Sequence, residues 1–189
     1  MSLTNQNIEQ LIKLCKTGNQ RAQLEVYNRY YKAMYNAAFR IVKDKFEAED
    51  IMQESFLTAF NKLDNLNEAV TFGAWLKRIV INNSIYHYKK SGKHSDVPLD
   101  DVIYKVEDDQ GLSEDYEFTN IKAKQVLDTM ATLKENYRVS LTLNLIEGYD
   151  YEEICEIMNI SYASCRTTIS RAKDKLRNEL QHLAEYKKC

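Results

Sequence analysis

Helix breakers are almost absent from this 189-residue chain, which has 5 Gly and 1 Pro, about 3% of its residues; average usage of the two together is roughly 12%. Sandwiches and barrels need such residues at most of their reversals, so an all-α chain is expected, and collagen or Gly/Ser linker proteins are excluded. The few breakers are also clustered. Pro98, Gly92 and Gly111 fall in residues 91–119, a stretch with 2 basic and 9 acidic residues and no sustained helical period. Residues 1–90 carry 13 basic and 9 acidic side chains, and residues 120–189 carry 11 and 10. The net charge of −2 therefore averages over two near-neutral or basic lobes and an acidic stretch between them. Loops beyond roughly 12–15 residues are uncommon inside one compact domain. The chain is thus expected to divide into two small helical domains, 1–90 and 120–189, joined by an acidic flexible linker at 91–119.

The remaining classes are narrowed by what the side chains lack. Hydrophobic residues make up 44% of the chain, enough for packed interiors. No apolar run approaches the roughly 18 residues of a membrane span, and Met1–Gln10 is polar. Cys15, Cys155, Cys165 and Cys189 include no C-x-x-C pair, so reduced thiols and a cytoplasmic location are expected. Cys155 and Cys165 fall at inward helix positions, where a small thiol packs as a core residue and a redox or metal role is the alternative. His87, His94 and His182 are scattered without ligand spacing. No nucleophile–base pair, metal cluster or phosphate-binding glycine loop stands out, so neither enzyme activity nor a metal or cofactor is expected.

Apolar spacing in the first lobe is helical throughout. A short amphipathic helix carries Ile8, Leu11 and Ile12. Asn19, after Gly18, can cap a helix whose Leu24, Tyr27, Tyr31, Met34, Tyr35, Ala38 and Ile41 follow at steps of three and four. A helix over about 47–63 turns Ala48, Ile51, Ser55, Ala59 and Leu63 inward. Another begins near Thr71 and buries Phe72, Trp75, Leu76, Ile79 and Val80. Two polar faces remain. Asp50, Gln53 and Glu54 stand at i, i+3 and i+4 with Leu57 beside them, an acidic patch edged by an apolar residue. Arg78, Asn82, Tyr86 and Lys89 span about 80° of arc at 100° per residue. Cations that hold phosphates, interleaved with a ring that stacks on bases, suit a nucleic-acid strand.

The second lobe has a helix over 121–133, another over 136–146, and then a helix-turn-helix pattern. Asp150 and Glu153 form a capping-box pair before a short helix with Ile154, Cys155, Ile157 and Met158 on its apolar side. Asn159-Ile160-Ser161 makes the turn, and Ser161 can cap a longer helix. There Cys165, Ile169, Ala172, Leu176, Leu180 and Leu183 form the buried stripe, while Ala163, Arg166, Thr167, Ser170, Asp174 and Arg177 point outward. A polar, Arg-bearing first half on the second helix of such a motif suits the major groove, and an ordinary helical hairpin is the alternative.

The order of these pieces resembles a bacterial RNA polymerase sigma factor of the extracytoplasmic-function (ECF) type. The likeness rests on V-Y-N-R-Y-Y, A-E-D-I-M-Q-E-S-F at 48–56 and F-G-A-W-L-K-R-I-V-I-N-N at 72–83, which are similar to sigma region 2. It also rests on L-K-E-N-Y-R-V-S-L at 133–141 and S-R-A-K-D-K-L-R at 170–177 around the helix-turn-helix, similar to region 4. The resemblance implies a specificity subunit that binds core RNA polymerase and promoter DNA. Asp50, Gln53, Glu54, Phe56 and Leu57 would dock on the β′ clamp helices, and the second domain would touch the β flap. The loop 64–70, with Asn65 and Asn67, and the face of Arg78, Asn82, Tyr86 and Lys89 would hold the melted −10 strand. Ser164, Arg166, Thr167, Ser170, Arg171 and Lys173 would read or clamp the −35 element, and the acidic linker would thread the RNA exit path. An anti-sigma factor, often membrane-anchored in this family, is the further partner implied. The alternative is a stand-alone helix-turn-helix regulator with a sensing or dimerising first domain. Near-zero net charge fits a subunit that borrows DNA affinity from a larger enzyme, since phosphate neutralisation supplies most affinity in free DNA binders.

Overall fold

A computed structural model describes residues 3–91 and 114–186, and regular structure among them is helical. The chain forms two compact units that divide within the acidic segment. In the first unit, α1 (Ile8–Lys16), α2 (Gln20–Val42), α3 (Lys45–Asn61) and α4 (Phe72–Ser91) follow in order. Side-chain caps set three of the starts. Asn7 accepts from the Gln10 N–H at 2.9 Å while Gln10 reaches back to the Asn7 N–H. Asn19, after Gly18 at φ +76°, accepts from the Ala22 N–H at 3.1 Å. Asp44 accepts from the Glu47 N–H at 2.8 Å, so α2 and α3 are separated only by Lys43, in the left-handed region at φ +62°, and Asp44. Each cap satisfies an N–H that the helix itself leaves without a partner.

Helix α2 packs against α1, α3 and α4, and α3 packs against α4. Leu11, Val26, Ile51, Phe56, Phe72 and Leu76 meet in one core. Aromatic contacts line it: Tyr27 lies 4.8 Å from Phe56, and Tyr30 stands edge-on to Phe72 at 5.5 Å. A Cβ at Gly73 would sit 2.9 Å from the Tyr30 ring, so glycine at that position is what lets α4 approach α2. Trp75 is only half-buried. It packs on the edge of this core, 6.1 Å from Phe72, rather than inside it as its spacing suggested.

The second unit contains α5 (Glu114–Thr132), α6 (Glu135–Leu141), α7 (Tyr151–Met158) and α8 (Tyr162–Tyr186). Residues 92–113 of the expected linker lie outside the described residues, whereas 114–119 are the start of α5. The expected helix over 136–146 widens after Leu141 into a π-helical turn, Thr142–Ile146. The Glu147 N–H donates to the Thr142 carbonyl at 3.0 Å, and Gly148 at φ +80° then reverses the chain toward α7. Met130, Leu133, Leu141, Ala172 and Leu176 form the core cluster beneath. Leu183, expected in the buried stripe of α8, is exposed because it lies two turns beyond Leu176, where that stripe is last fully covered.

Candidate protein-docking and nucleic-acid interfaces

Helix α3 divides sharply. Ala48, Ile51, Met52, Ser55 and Ala59 face the core, and Ser55 is fixed there by accepting from Asn83 Nδ2 of α4 at 3.0 Å while donating to the Ile51 carbonyl. The opposite side presents Asp50, Gln53, Glu54 and Leu57, all exposed as their spacing predicts. Phe56 does not join them. It is 2% exposed and lies in the aromatic cluster with Tyr27 and Phe60, because position 56 is 240° around the helix from Asp50 at 100° per residue. The structure supplies a different aromatic. Phe46, 80% exposed, is one turn before Asp50, and Leu57, 65% exposed, lies at the far end. Phe46, Asp50, Gln53 and Leu57 stand at i, i+4, i+7 and i+11, so two apolar side chains bracket Asp50 and Gln53 on one stripe. That period was readable in the sequence. A phenylalanine at the start of a helix, however, reads by default as core.

On α4, Asn82, Tyr86 and Lys89 are exposed and Arg78 is half-buried. The Tyr86 ring, 62% exposed, has the Lys90 ammonium 6.0 Å from its centroid and stands edge-on to His87 at 5.8 Å. His87 Nε2 in turn lies 3.9 Å from Glu54 Oε2, so the acidic stripe of α3 and the cationic-aromatic face of α4 adjoin at this pair. Sequence spacing places residues on one helix and gave no sign of this cross-helix contact. Between α3 and α4, Leu63 and Leu66 are anchored in the core while Asn65 and Asn67 point outward. The Thr71 hydroxyl donates to the Glu68 carbonyl at 2.8 Å and tightens the turn leading into α4.

In the second unit, the helix-turn-helix is formed as its capping pattern predicts. The Asp150 carboxylate accepts from the Glu153 N–H at 2.8 Å, and Glu153 accepts from the Asp150 N–H at 3.0 Å. Asn159 takes the left-handed conformation at φ +51°, and Ser161 Oγ accepts from the Ser164 N–H at 3.3 Å to open α8. Cys165, Ile169, Ala172 and Leu176 are buried. Ser164, Arg166, Thr167, Ser170 and Arg171 are exposed, and Lys173 is half-buried toward the core edge. The Thr167 hydroxyl donates to the Ala163 carbonyl at 2.8 Å, which leaves its oxygen outward as an acceptor.

Charge on α8 is organised along its length. Arg177 pairs with Asp174 at 2.8 Å and Lys175 with Glu179 at 2.8 Å, the latter hydrogen bond holding the Glu179 carboxyl below its usual range. Arg166, Arg171 and Lys173 have no such partner among the described residues. The N-terminal part of α8 therefore offers uncommitted cations, while the C-terminal half neutralises its own. Among the described residues no group of three or more His, Cys, Asp or Glu could hold a metal ion, and no helix is long and apolar enough to cross a membrane.

These two surfaces fall within two family matches. The Sigma-70 region 2 family matches residues 26–94, and the Sigma-70 region 4 family matches residues 123–176. The chain is 31% identical to the RNA polymerase sigma-H factor of Pseudomonas aeruginosa, over 96% of this chain and 97% of that one. It is 30% identical to the ECF RNA polymerase sigma factor SigW of Bacillus subtilis, over 93% and 98% respectively. Among solved structures it shares its fold with CnrH in complex with the cytosolic domain of CnrY, at a TM-score of 0.54 and 22% identity over 93% of this chain and 97% of that one. Relatives of this identity and coverage decide between the two readings the sequence allowed: the helix-turn-helix belongs to a sigma factor rather than to a stand-alone regulator, and the chain is a member of the ECF family of RNA polymerase sigma factors.

Proposed function

We propose that this sigma factor docks on the β′ clamp helices of core RNA polymerase through the α3 stripe of Phe46, Asp50, Gln53, Glu54 and Leu57, and so brings the α4 face to the melted −10 strand. The observation that carries the reading is the exposure of two large apolar side chains on either side of the acidic group. A stripe of this kind fits a partner helix that offers apolar and basic residues together. The adjoining α4 face then meets single-stranded DNA, with Arg78 and Lys89 toward phosphates, Asn82 toward a base edge and the Tyr86 ring open for stacking. Unstacking duplex DNA costs about 1–2 kcal/mol per step, and stacking one base on an aromatic ring returns roughly 1–3 kcal/mol. Asn65 and Asn67 border the same strand from the loop before α4.

In the second unit, Ser164, Thr167 and Ser170 face base edges of the −35 duplex, and Arg166, Arg171 and Lys173 hold its phosphates. That unit also touches the β flap, and the acidic segment between α4 and α5 threads the RNA exit path. CnrH and the Bartonella quintana sigma factor RpoE are each solved with a protein partner, for RpoE the anti-sigma factor NepR. By analogy this chain is held in check by an anti-sigma partner of its own. The chain acts by binding, without catalysis of its own, on polymerase in the cytoplasm. The test is the double substitution Asp50→Lys with Glu54→Lys: it is expected to abolish co-purification with core polymerase while leaving the helical circular dichroism signal unchanged. Undiminished co-purification would remove α3 as the docking helix.

A further inference from the structure

We propose that Cys155 and Cys165 are a peroxide-sensitive thiol pair that closes into a disulfide across the helix-turn-helix and weakens its grip on duplex DNA. The two residues come from consecutive helices of the motif, the first half-buried and the second 1% exposed. The Cys165 thiol donates to the Tyr151 carbonyl at 3.8 Å. In an α-helix that carbonyl also accepts the N–H of the residue four positions on, here Cys155. The buried thiol therefore rests on the turn of α7 that carries the other cysteine. Neither cysteine is in a disulfide.

The roles follow from access. Cys155, half-buried, is the thiol a small hydroperoxide can reach. Its thiolate attacks one peroxide oxygen: an S–O bond forms, the O–O bond breaks, and the departing hydroxide takes a proton to become water. Cys165 then attacks the sulfenic sulfur, the S–S bond forms, the S–O bond breaks, and a second water leaves with the Cys165 proton. The two sulfurs lose two electrons and hydrogen peroxide gains them. Burial, with Cys155 and Glu152 beside it, pushes the Cys165 thiol up to about 11. It stays protonated at neutral pH and so reacts slowly with peroxide itself; it resolves the sulfenic acid as its proton passes to the departing hydroxide.

The structural consequence is set by bond length. A disulfide fixes its sulfurs about 2.05 Å apart and so ties the first turn of α8 to α7; in the proposed switch α8 is drawn toward α7 as it closes. Ser164 lies on that turn and Thr167 on the next, and hydrogen bonds to base edges tolerate only a few tenths of an ångström. This inference rests on α8 being the helix that meets duplex DNA. The experiment separates the two. The full chain carrying Cys189→Ser is treated with hydrogen peroxide, freed of it and combined with core polymerase. DNA binding is then measured on a fragment that the reduced holoenzyme retains from a genomic library. Expected are a loss of 2 Da, a Cys155–Cys165 peptide cross-link, and binding at least tenfold weaker that dithiothreitol restores; Cys155→Ser abolishes all three. If no 2 Da loss occurs, the thiol pair is overturned whatever α8 binds. If the cross-link forms and affinity stays within twofold, the switch is overturned while the function of α8 stands. A reduced holoenzyme that retains no fragment overturns the assignment of α8 and the switch with it. Should Cys155→Ser fail to fold, mass and cross-link mapping on the parent chain still decide the pair.

Discussion

In the first unit, α3 and α4 present their acidic and cationic faces over a core in which Ile51, Phe56, Phe72 and Leu76 meet side chains from α1 and α2. In the second, α8 presents its face over Cys165, Ile169, Ala172 and Leu176. The first surface is tied across helices, by Asn83 to Ser55 and by His87 to Glu54, whereas the ion pairs of the second run along α8 itself. A surface tied across helices keeps its shape only while the helix pair stays packed. A surface carried by one helix depends on how that helix is seated. The two units should therefore fail differently.

Core truncation gives the largest contrast. Phe72→Ala should cost about 3–5 kcal/mol and Ile169→Ala about 2–5 kcal/mol. Small domains have little stability in reserve, so Ile169→Ala is expected to unfold the second unit while the first stays folded and still binds core polymerase. Phe72→Ala should abolish polymerase capture and leave the second unit's cooperative transition in place. Trp75, the sole tryptophan, reports the first unit by fluorescence, and amide hydrogen exchange reports both. Simultaneous loss of protection in the two units after either substitution would end the idea that they are energetically separate.

Next in size is the salt dependence of duplex binding. Replacing Arg166, Arg171 and Lys173 together by Ala should lower the slope of log affinity against log salt by roughly 2.7, at 0.9 per phosphate contact. Lys175→Ala with Arg177→Ala should change it by less than about 1, because those cations are already paired with Glu179 and Asp174. Equal slopes for the two variants would mean that the intrahelical pairs open on DNA. They would then tell nothing about which cations are available.

What the sequence disclosed about these units was local, and what it hid was mostly contact between helices. The caps at Asn19, Asp150 with Glu153, and Ser161 could be read because each joins residues three apart. The outward face of α8 was legible for the same reason, since one helix period fixes it. The resemblance puts Phe56 beside Asp50 and Glu54 because it carries over a contiguous motif, whereas a helix distributes contiguous residues around its whole circumference and Phe56 is buried. Hydrophobicity argues for burial of Phe46, and only the packing of α3 in the fold leaves it exposed. The π-helical turn at Thr142–Ile146 has no simple residue signature beyond the Gly148 reversal that follows it. The His87–Glu54 contact depends on how α3 and α4 cross, which periodicity does not contain.

The caps offer a smaller and cleaner comparison. Asn19→Ala should destabilise the first unit and Asp150→Ala the second, each by about 1 kcal/mol. Asn19 opens a 23-residue helix that packs against three others, and Asp150 opens one of eight residues. Equal energies should therefore have unequal functional results: polymerase capture unchanged by Asn19→Ala, and duplex binding weakened several-fold by Asp150→Ala as α7 frays beneath α8. Unchanged duplex binding after Asp150→Ala, measured in the holoenzyme, would show that α7 is held by its packing alone.

The smallest effect separates the units by cause rather than by size. Burial alone pushes the Cys15 thiol in the first unit up to about 11 from its ordinary 9.0; in the second, burial does most of the same for Cys165, with Cys155 and Glu152 adding to it. A thiol that stays protonated in the folded state and ionises in the unfolded chain favours the unfolded state as pH rises. The stabilisation is complete below pH 9 and is lost between about 9 and 11. At pH 9, where half of the unfolded thiol is ionised, each group should cost about 0.4 kcal/mol relative to pH 7. Cys15→Ala should flatten this alkaline decline in the first unit only, read as the shift in urea midpoint of Trp75 fluorescence between pH 7 and pH 9. Glu152→Gln, which removes a negative charge near Cys165, should reduce the decline in the second unit without touching the first. If Glu152→Gln leaves the alkaline slope of hydrogen-exchange protection in α7 and α8 unchanged, Glu152 has no part in raising the Cys165 thiol.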